Sequence, residues 1–329
     1  MLESIPFSLL ELASIREGEL PSETFRHTLA YAQAAEQLGF QRFWLAEHHN
    51  MEGIASSATS VLIGYIAGGT QHIRVGSGGI MLPNHPPLVI AEQFGTLASL
   101  YPNRIDLGLG RAPGTDPITA RALRRDDRAA DDFPTEIQVL EQLLGPAQPQ
   151  QRLKAVPGTG TQVPIWLLGS SLYSARLAAI RGLPYAFAGH FAPRLMREAI
   201  HLYRTHFQPS DVLDKPYVML GLPLIIAETD EQARLLSTTG LQRILALFRN
   251  QPLWLRPPVK SMNGLWTQDE EAGVREFLSL AAIGTPDTVK QYIEDLAEQL
   301  HINEFMFTND LYEPADRIRA LELLMSIKH

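Results

Sequence analysis

The sequence predicts an α/β protein that forms one (β/α)8 TIM barrel over residues 1–329, with insertions after strand 4 and between strands 7 and 8. Strand-like and helix-like segments alternate eight times along the chain, which favours a barrel over an open, doubly wound sheet. The strand-like segments are short and nearly continuously apolar, as parallel strands buried on both faces should be. A length of 329 residues is normal for such a barrel with insertions.

The predicted elements follow each other in a regular order. The strands cover residues 5–11, 42–47, 73–79, 105–110, 164–169, 185–188, 218–227 and 304–308. The helices cover residues 22–38, 57–68, 88–100, 134–144, 171–181, 193–207, a segment that starts at 230, and 314–327. We expect Ser22 to cap the first helix and Gly39 to lie just beyond its end.

Two segments do not fit the repeat. Residues 112–132 follow the fourth strand and are rich in Pro, Asp and Arg. Residues 250–282 contain QPLWLRPPVKSMNGLW, with three prolines close to two tryptophans. Insertions after barrel strands usually shape the active site, so the second segment is a candidate lid. A surface elaboration or a dimer contact remains an alternative for it.

Composition and charge exclude several classes of protein. Hydrophobic residues make up 45% of the chain and charged residues 19%, which indicates a large core and not a disordered chain. A formal net charge of −8 disfavours a nucleic-acid partner, and the absence of cysteine excludes disulfides, thiolate catalysis and cysteine-bound zinc. No basic leader and no run of about 18 apolar residues is present, so we expect a cytoplasmic protein without a membrane span.

Two glycine clusters lie at predicted strand ends. GLGRAPG contains a G-x-G, but prolines follow it where a dinucleotide-binding fingerprint would open a helix directly. Arg111 in this segment would therefore project at the barrel mouth, where it could meet an anion or a flavin ring or form a structural ion pair. GSGG ends the third strand and permits close approach by a flat ligand, although a plain turn at the barrel rim would also explain it.

The segment LGSSLYSARLAA predicts a phosphate site. Gly169 ends a strand, Ser170 and Ser171 open a helix, and Ser174 follows one turn later on the same side. Free backbone N–H groups, the helix dipole and hydroxyl groups together bind phosphate. Ordinary helix capping is the alternative, but it needs only one serine.

The segment WLAEHHNM carries a carboxylate and two adjacent histidines directly after a strand. Glu47, His48 and His49 could be metal ligands, acid/base groups or the wall of a cofactor pocket. Neighbours on an extended strand point to opposite faces, and the chain has no H-x-H or H-E-x-x-H motif, so we predict no metal site. His85 and His190 also follow strand ends, which allows three strands to direct imidazoles at one mouth.

These motifs together resemble the bacterial luciferase-like flavin monooxygenases. WLAEHHN, IRVGSGGIMLPNHPPLVIAEQF, RIDLGLGRAPGTD, LLGSSLYSARLAAIRGLPYAFAGHF and GTPDTVKQYI occur in the family order and span nearly the whole chain. The resemblance implies a barrel that binds FMN at its C-terminal mouth. It also implies reduced FMN from a separate flavin reductase, dioxygen, and a small organic substrate that the motifs do not identify.

The resemblance also assigns roles to residues. It links His48 to the oxygenation chemistry, with Glu47 as its catalytic neighbour and His49 supporting from behind. It places a cis peptide at Gly78-Gly79 behind the flavin ring. The remaining expected cofactor contacts are Arg111, Gly169, Ser170, Ser171 and Ser174.

One departure, two alternative functions and an expected dimer accompany the resemblance. Bacterial luciferase has a reactive cysteine where this chain has Gly110, so neither light emission nor a long-chain aldehyde substrate is implied. A branch of the same fold transfers hydride with a deazaflavin coenzyme, and other relatives bind flavin without catalysis. Family members are commonly dimers through helices beside strands two and three, and the small-residue helix ASSATSVLIGYIAGG allows such packing or packing on its own barrel.

Overall fold

Eight parallel strands close into a barrel in the computed structural model, which describes residues 2–112, 116–124 and 130–328. The strands of the described residues are β1 (Phe7–Glu11), β2 (Arg42–Leu45), β3 (Arg74–Met81), β4 (Ile105–Gly110), β5 (Ile165–Gly169), β6 (Tyr185–Phe187), β7 (Val218–Ile226), β8 (Ala282–Gly284) and β9 (Glu304–Thr308). Strands β1 to β7 pair in chain order, and β9 joins β7 to β1. The ring of pairings confirms the barrel and excludes the open sheet.

Helices surround this barrel. Those of the described residues are α1 (Pro21–Gln37), α2 (Thr59–Gly68), α3 (Pro87–Leu100), α4 (Pro117–Ala122), α5 (Phe133–Leu144), α6 (Leu172–Arg181), α7 (Met196–His206), α8 (Asp230–Phe248), α9 (Gln268–Phe277), α10 (Pro286–Leu300) and α11 (Pro314–Ser326). The predicted cap at Ser22 is wrong, because Leu20 occupies the N-cap position and Pro21 opens the helix. The carboxylate of Glu23 accepts a hydrogen bond from the Leu20 N–H at 3.0 Å and replaces a serine cap.

Both predicted insertions contain structure of their own. Helix α4 lies in the first and begins only at Pro117, seven residues after β4 ends, so the G-x-G does not open a helix directly. The second insertion contains α9 and reaches β8, which pairs with the last residues of β7 outside the ring of eight. Three residues are too few to show a strand pattern, so the sequence places Ala282 in the insertion and Gly284 at the start of the next helix, which in fact begins at Pro286. No helix of the described residues is both long and apolar enough to cross a membrane.

The amino-terminal end of the barrel interior is ionic and not apolar. The guanidinium of Arg42 donates to the carboxylate of Asp106 at 2.7 Å and to that of Glu304 at 3.0 Å. The indole N–H of Trp44 and the Nε of Arg74 donate to the same Asp106 carboxylate at 3.1 Å each. All five residues lie near the starts of β2, β3, β4 and β9, so this network ties four strands together at the end opposite the mouth.

Candidate active site

The carboxylate of Glu47 is the centre of one group at the barrel mouth. It is buried directly beyond β2, and its Oε1 lies 2.7 Å from Nε2 of both His49 and His85. Its Oε2 accepts a hydrogen bond from the backbone N–H of Met81, the last residue of β3, at 3.1 Å. The structure thus groups Glu47 with His49, two residues further along the extended chain, and not with His48 as the sequence suggested.

The state of this carboxylate follows from its partners. Burial alone would raise the pKa of Glu47, but hydrogen bonds from His49 and His85 outweigh burial and hold it below the ordinary 4.5. The three ligand atoms lie within 4.8 Å of one another and could hold a metal ion. An Nε2 that donates a hydrogen bond cannot bind a metal at the same time, so the absence of a metal cofactor stays our prediction.

His48 and His190 form a second group at the mouth, because each follows a strand end and His48 acts electrostatically on His190. Burial, followed by the nearby charge of Arg243, lowers the pKa of His48 to about 4 against the opposing effect of Glu47. Burial, followed by His48, lowers the pKa of His190 to about 4 against the opposing effect of Asp310. Both imidazoles are therefore neutral at pH 7, and as pH falls from 6.5 towards 4 their burial disfavours the folded state.

The end of β3 has an unusual backbone. The peptide bond Gly78-Gly79 is cis, which confirms the expectation from the resemblance. Ser77 pairs with Leu107 and Ile80 pairs with Leu109, so both glycines face a single residue of β4. The bulge lies two residues before Met81, whose backbone N–H donates to Glu47 at the mouth.

Arg111 lies beside the predicted phosphate site. Its guanidinium is 4.0 Å from the centre of the Tyr173 ring, in the first turn of α6. The stack joins the end of β4 to the start of α6, although more than fifty residues separate them in the chain. Tyr173 was not predicted as a site residue, and its position between Ser171 and Ser174 was the only signal for it.

The serines at the start of α6 divide into two kinds. Ser171 occupies the N-cap position, and its hydroxyl makes no capping hydrogen bond, so ordinary capping does not explain it. Ser170 and Ser171 are half-buried, whereas Ser174 is buried and its hydroxyl donates to the Ser171 carbonyl at 3.0 Å. A Cβ on Gly169 would lie 2.2 Å from the Ser174 hydroxyl oxygen. Ser174 therefore packs beneath the loop, while the side chains of Ser170 and Ser171 are partly exposed to solvent.

Comparison with known proteins identifies the family. Residues 5–303 match the family described as luciferase-like monooxygenase. The chain belongs to the luciferase-like monooxygenase family. A luciferase-like monooxygenase of Escherichia coli (strain K12) is 47% identical over 99% of this chain and 98% of its own. The N-acetyl-S-alkylcysteine monooxygenase of Bacillus subtilis (strain 168) is 30% identical over 97% of each chain. The chain is thus an enzyme of the luciferase-like monooxygenase class.

Several solved structures have the same fold as this chain. The structure of apo-MsnO8 is 32% identical, with a TM-score of 0.90 over 98% of each chain. The oxygenating constituent of 3,6-diketocamphane monooxygenase, solved with FMN, is 17% identical, with a TM-score of 0.76 over 98% of this chain and 96% of its own. An F420-dependent secondary alcohol dehydrogenase is 14% identical, with a TM-score of 0.71 over 99% of each chain. The last two show the fold alone.

Proposed function

We propose that this luciferase-like monooxygenase is the oxygenating half of a two-component system, which takes reduced FMN from a separate flavin reductase and uses dioxygen to oxidise a small organic substrate. The observation that carries the proposal is the meeting of three features at one mouth. They are an uncapped serine pair at a helix start, the Arg111–Tyr173 stack beside it, and the glycine bulge at the end of β3. Together they suit a flat ring that carries a phosphate.

The residues present fit FMN. Ser170, Ser171 and the free N–H groups at the start of α6 would hold the phosphate, with the charge of Arg111 nearby. A Cβ on Gly78 would lie 2.5 Å from the Leu10 side chain, and one on Gly79 would lie 2.8 Å from the Gly108 carbonyl oxygen. Both glycines therefore let β3 pack closely behind the place where the ring would lie. FMN supplies the redox chemistry when bound, and the protein supplies placement and hydrogen bonds.

The protein groups near the ring would have different tasks. The buried Nδ1 of His48 has no partner among the described residues and is the atom that would exchange a proton with the reacting groups. Glu47 acts as a positioning residue, because its hydrogen bonds within the described residues go to His49, His85 and the Met81 N–H. Ser174 likewise positions the start of α6, since its hydroxyl donates a hydrogen bond to the Ser171 carbonyl.

Structural neighbours support FMN and leave one rival. The diketocamphane enzyme was solved with FMN, and the secondary alcohol dehydrogenase was solved with an F420–acetone adduct. Both share the barrel, so fold alone does not choose between flavin oxygenation and hydride transfer by a deazaflavin. The N-acetyl-S-alkylcysteine enzyme is a relative whose name states a substrate, and we propose no narrower class here than a small organic molecule.

We also propose that the whole chain acts as one catalytic unit and pairs into a homodimer through α2 and α3. The barrel closes by pairing β9, near the end of the chain, with β1, near its start. On α2, Val61 is 69% exposed and Tyr65 42%, and on the adjacent α3 Val89 is 39% exposed. Apolar side chains on two neighbouring helices are the kind of surface that a second copy would cover.

A negative charge at the start of α6 tests the phosphate site. We expect Ser171→Asp to weaken binding of FMN by about tenfold or more, because the carboxylate would repel the phosphate. Riboflavin has the same ring without the phosphate, so its affinity should change by less than about threefold. Fluorescence titration of both ligands measures the two dissociation constants.

The matched control is Ser22→Asp, which places the same charge on an exposed serine at the start of α1. This variant should bind FMN and riboflavin with the same dissociation constants as wild type. Equal loss of FMN and riboflavin binding in Ser171→Asp would mean that the start of α6 does not hold the phosphate.

A further inference from the structure

His190 is a second histidine at the mouth, and its burial and packing are those of a residue that contacts the reacting molecules. We propose that His190 is a catalytic residue that, together with His48, hydrogen-bonds both the dioxygen that reacts with the bound flavin and the end of the organic substrate that is oxidised. The inference rests on the proposed function and goes beyond it, because it assigns a residue from the opposite side of the barrel. His48 follows β2, and His190 lies three residues beyond the end of β6.

The first observation is a pair of buried polar atoms. Nδ1 of His48 and Nδ1 of His190 are both buried, and neither has a hydrogen-bond partner among the described residues. A buried polar atom without a partner costs roughly 1–3 kcal/mol, so two of them in one region destabilise the unliganded protein. A ligand that reaches both atoms would remove that cost, which is the arrangement expected of a binding site.

The second observation is the packing around the His190 ring. A Cβ built on Gly221 of β7 would lie 2.8 Å from Nδ1 of His190, so the imidazole rests directly against the backbone of this strand. The ring of Phe191 meets the imidazole edge to face, with 4.9 Å between centres. Packing therefore holds His190 in one orientation, and the glycine is what makes room for it.

The charges that act on the two imidazoles are paired, since the Glu47 carboxylate that acts on His48 is held by His49 and His85. Arg243 of α8 is buried and forms an ion pair with Asp310, just beyond β9, whose carboxylate also accepts from the Ser14 hydroxyl at 3.3 Å. Arg243 acts on His48 and Asp310 acts on His190, so both imidazoles share this pair as their ionic neighbour. Two neutral rings beside a neutralised ion pair favour an uncharged polar group, such as a carbonyl, a hydroxyl or a thioether, over a carboxylate or an ammonium group.

The test measures oxidation of enzyme-bound reduced FMN by dioxygen in stopped-flow absorbance, with the released hydrogen peroxide quantified, because neither requires a known substrate. Wild type, His48→Ala, His190→Ala and the double variant are compared. Each single variant should change the oxidation rate by about tenfold or more, and the double variant should be no worse than the more harmful single.

Two further variants separate catalysis from folding. Gly221→Ala keeps the imidazole but forces it to shift, and it should reproduce the His190→Ala rate. His201→Ala removes an exposed histidine of α7 and should behave as wild type. Dissociation constants for FMN should stay within about threefold in all variants, which shows that each still folds and binds.

The outcomes distinguish this inference from the proposed function. If wild type fails to bind FMN, the proposed function itself is wrong. If wild type binds and oxidises reduced FMN but His190→Ala and Gly221→Ala match His201→Ala, the role of His190 is refuted. Independent, additive effects of His48→Ala and His190→Ala would also contradict a shared contact.

Discussion

Replacing His48 with alanine should slow the reaction of enzyme-bound reduced FMN with dioxygen by about 100-fold, the usual size of a lost acid/base contribution. The reason is positional. His48 is held neutral by its surroundings, and its buried Nδ1 has no partner among the described residues, so it is free to exchange a proton with a ligand. Stopped-flow measurement of flavin oxidation, at saturating FMN, gives the rate directly.

The two histidines beside each other in the chain provide the comparison. His49→Ala removes a hydrogen bond to Glu47 and should loosen the β2–β3 end of the mouth, which weakens FMN binding more than it slows the bound reaction. His48→Ala should do the reverse. If the rate is unchanged in His48→Ala while FMN remains bound, the chain would act as a flavin-binding barrel without His48-dependent catalysis.

Asp106→Ala should destabilise the fold by about 3–5 kcal/mol, the cost of breaking a buried ion pair by removing one partner. Asp106 is fully buried and accepts hydrogen bonds from Arg42, Trp44 and Arg74. Its loss leaves two guanidinium groups short of a partner at the closed end of the barrel. Urea denaturation followed by circular dichroism reports the change in free energy of unfolding.

Two variants calibrate this loss. Asp106→Asn keeps the shape and one acceptor oxygen, so it should cost less than Asp106→Ala. Asp211→Ala removes an exposed carboxylate in the loop after α7 and should change stability by less than about 0.5 kcal/mol. An Asp106→Ala protein as stable as Asp211→Ala would show that the network contributes nothing to the barrel.

The repeat of strands and helices was predictable because each element carries its own local pattern. Buried parallel strands are apolar on both faces, and the helices between them begin and end near Pro and Gly, so eight units could be counted in the chain. The uncapped pair Ser170–Ser171 and the glycines of β3 were also readable, since each departs from what its local element needs. Both features lie at strand ends, where barrels place their sites.

The features that were missed depend on contacts across the barrel. Asp106 and Glu304 are 198 positions apart, and nothing in either strand shows that Arg42 lies between them. The grouping of Glu47 with His49 follows from strand alternation, yet the family resemblance drew attention to His48 instead. Arg243 and Asp310 gave no signal, because one lies within a helix and the other in a loop far along the chain.

Equilibrium binding of reduced cofactors tests the central claim most directly. Under anaerobic conditions, wild-type protein is titrated separately with reduced FMN and with reduced coenzyme F420, and the free ligand is measured after ultrafiltration. A flavin oxygenase with the phosphate at Ser170–Ser171 should bind reduced FMN at least about tenfold more tightly than reduced F420. No measurable binding of reduced FMN would contradict the proposed function. Tighter binding of reduced F420 would also contradict it and would favour hydride transfer within the same fold.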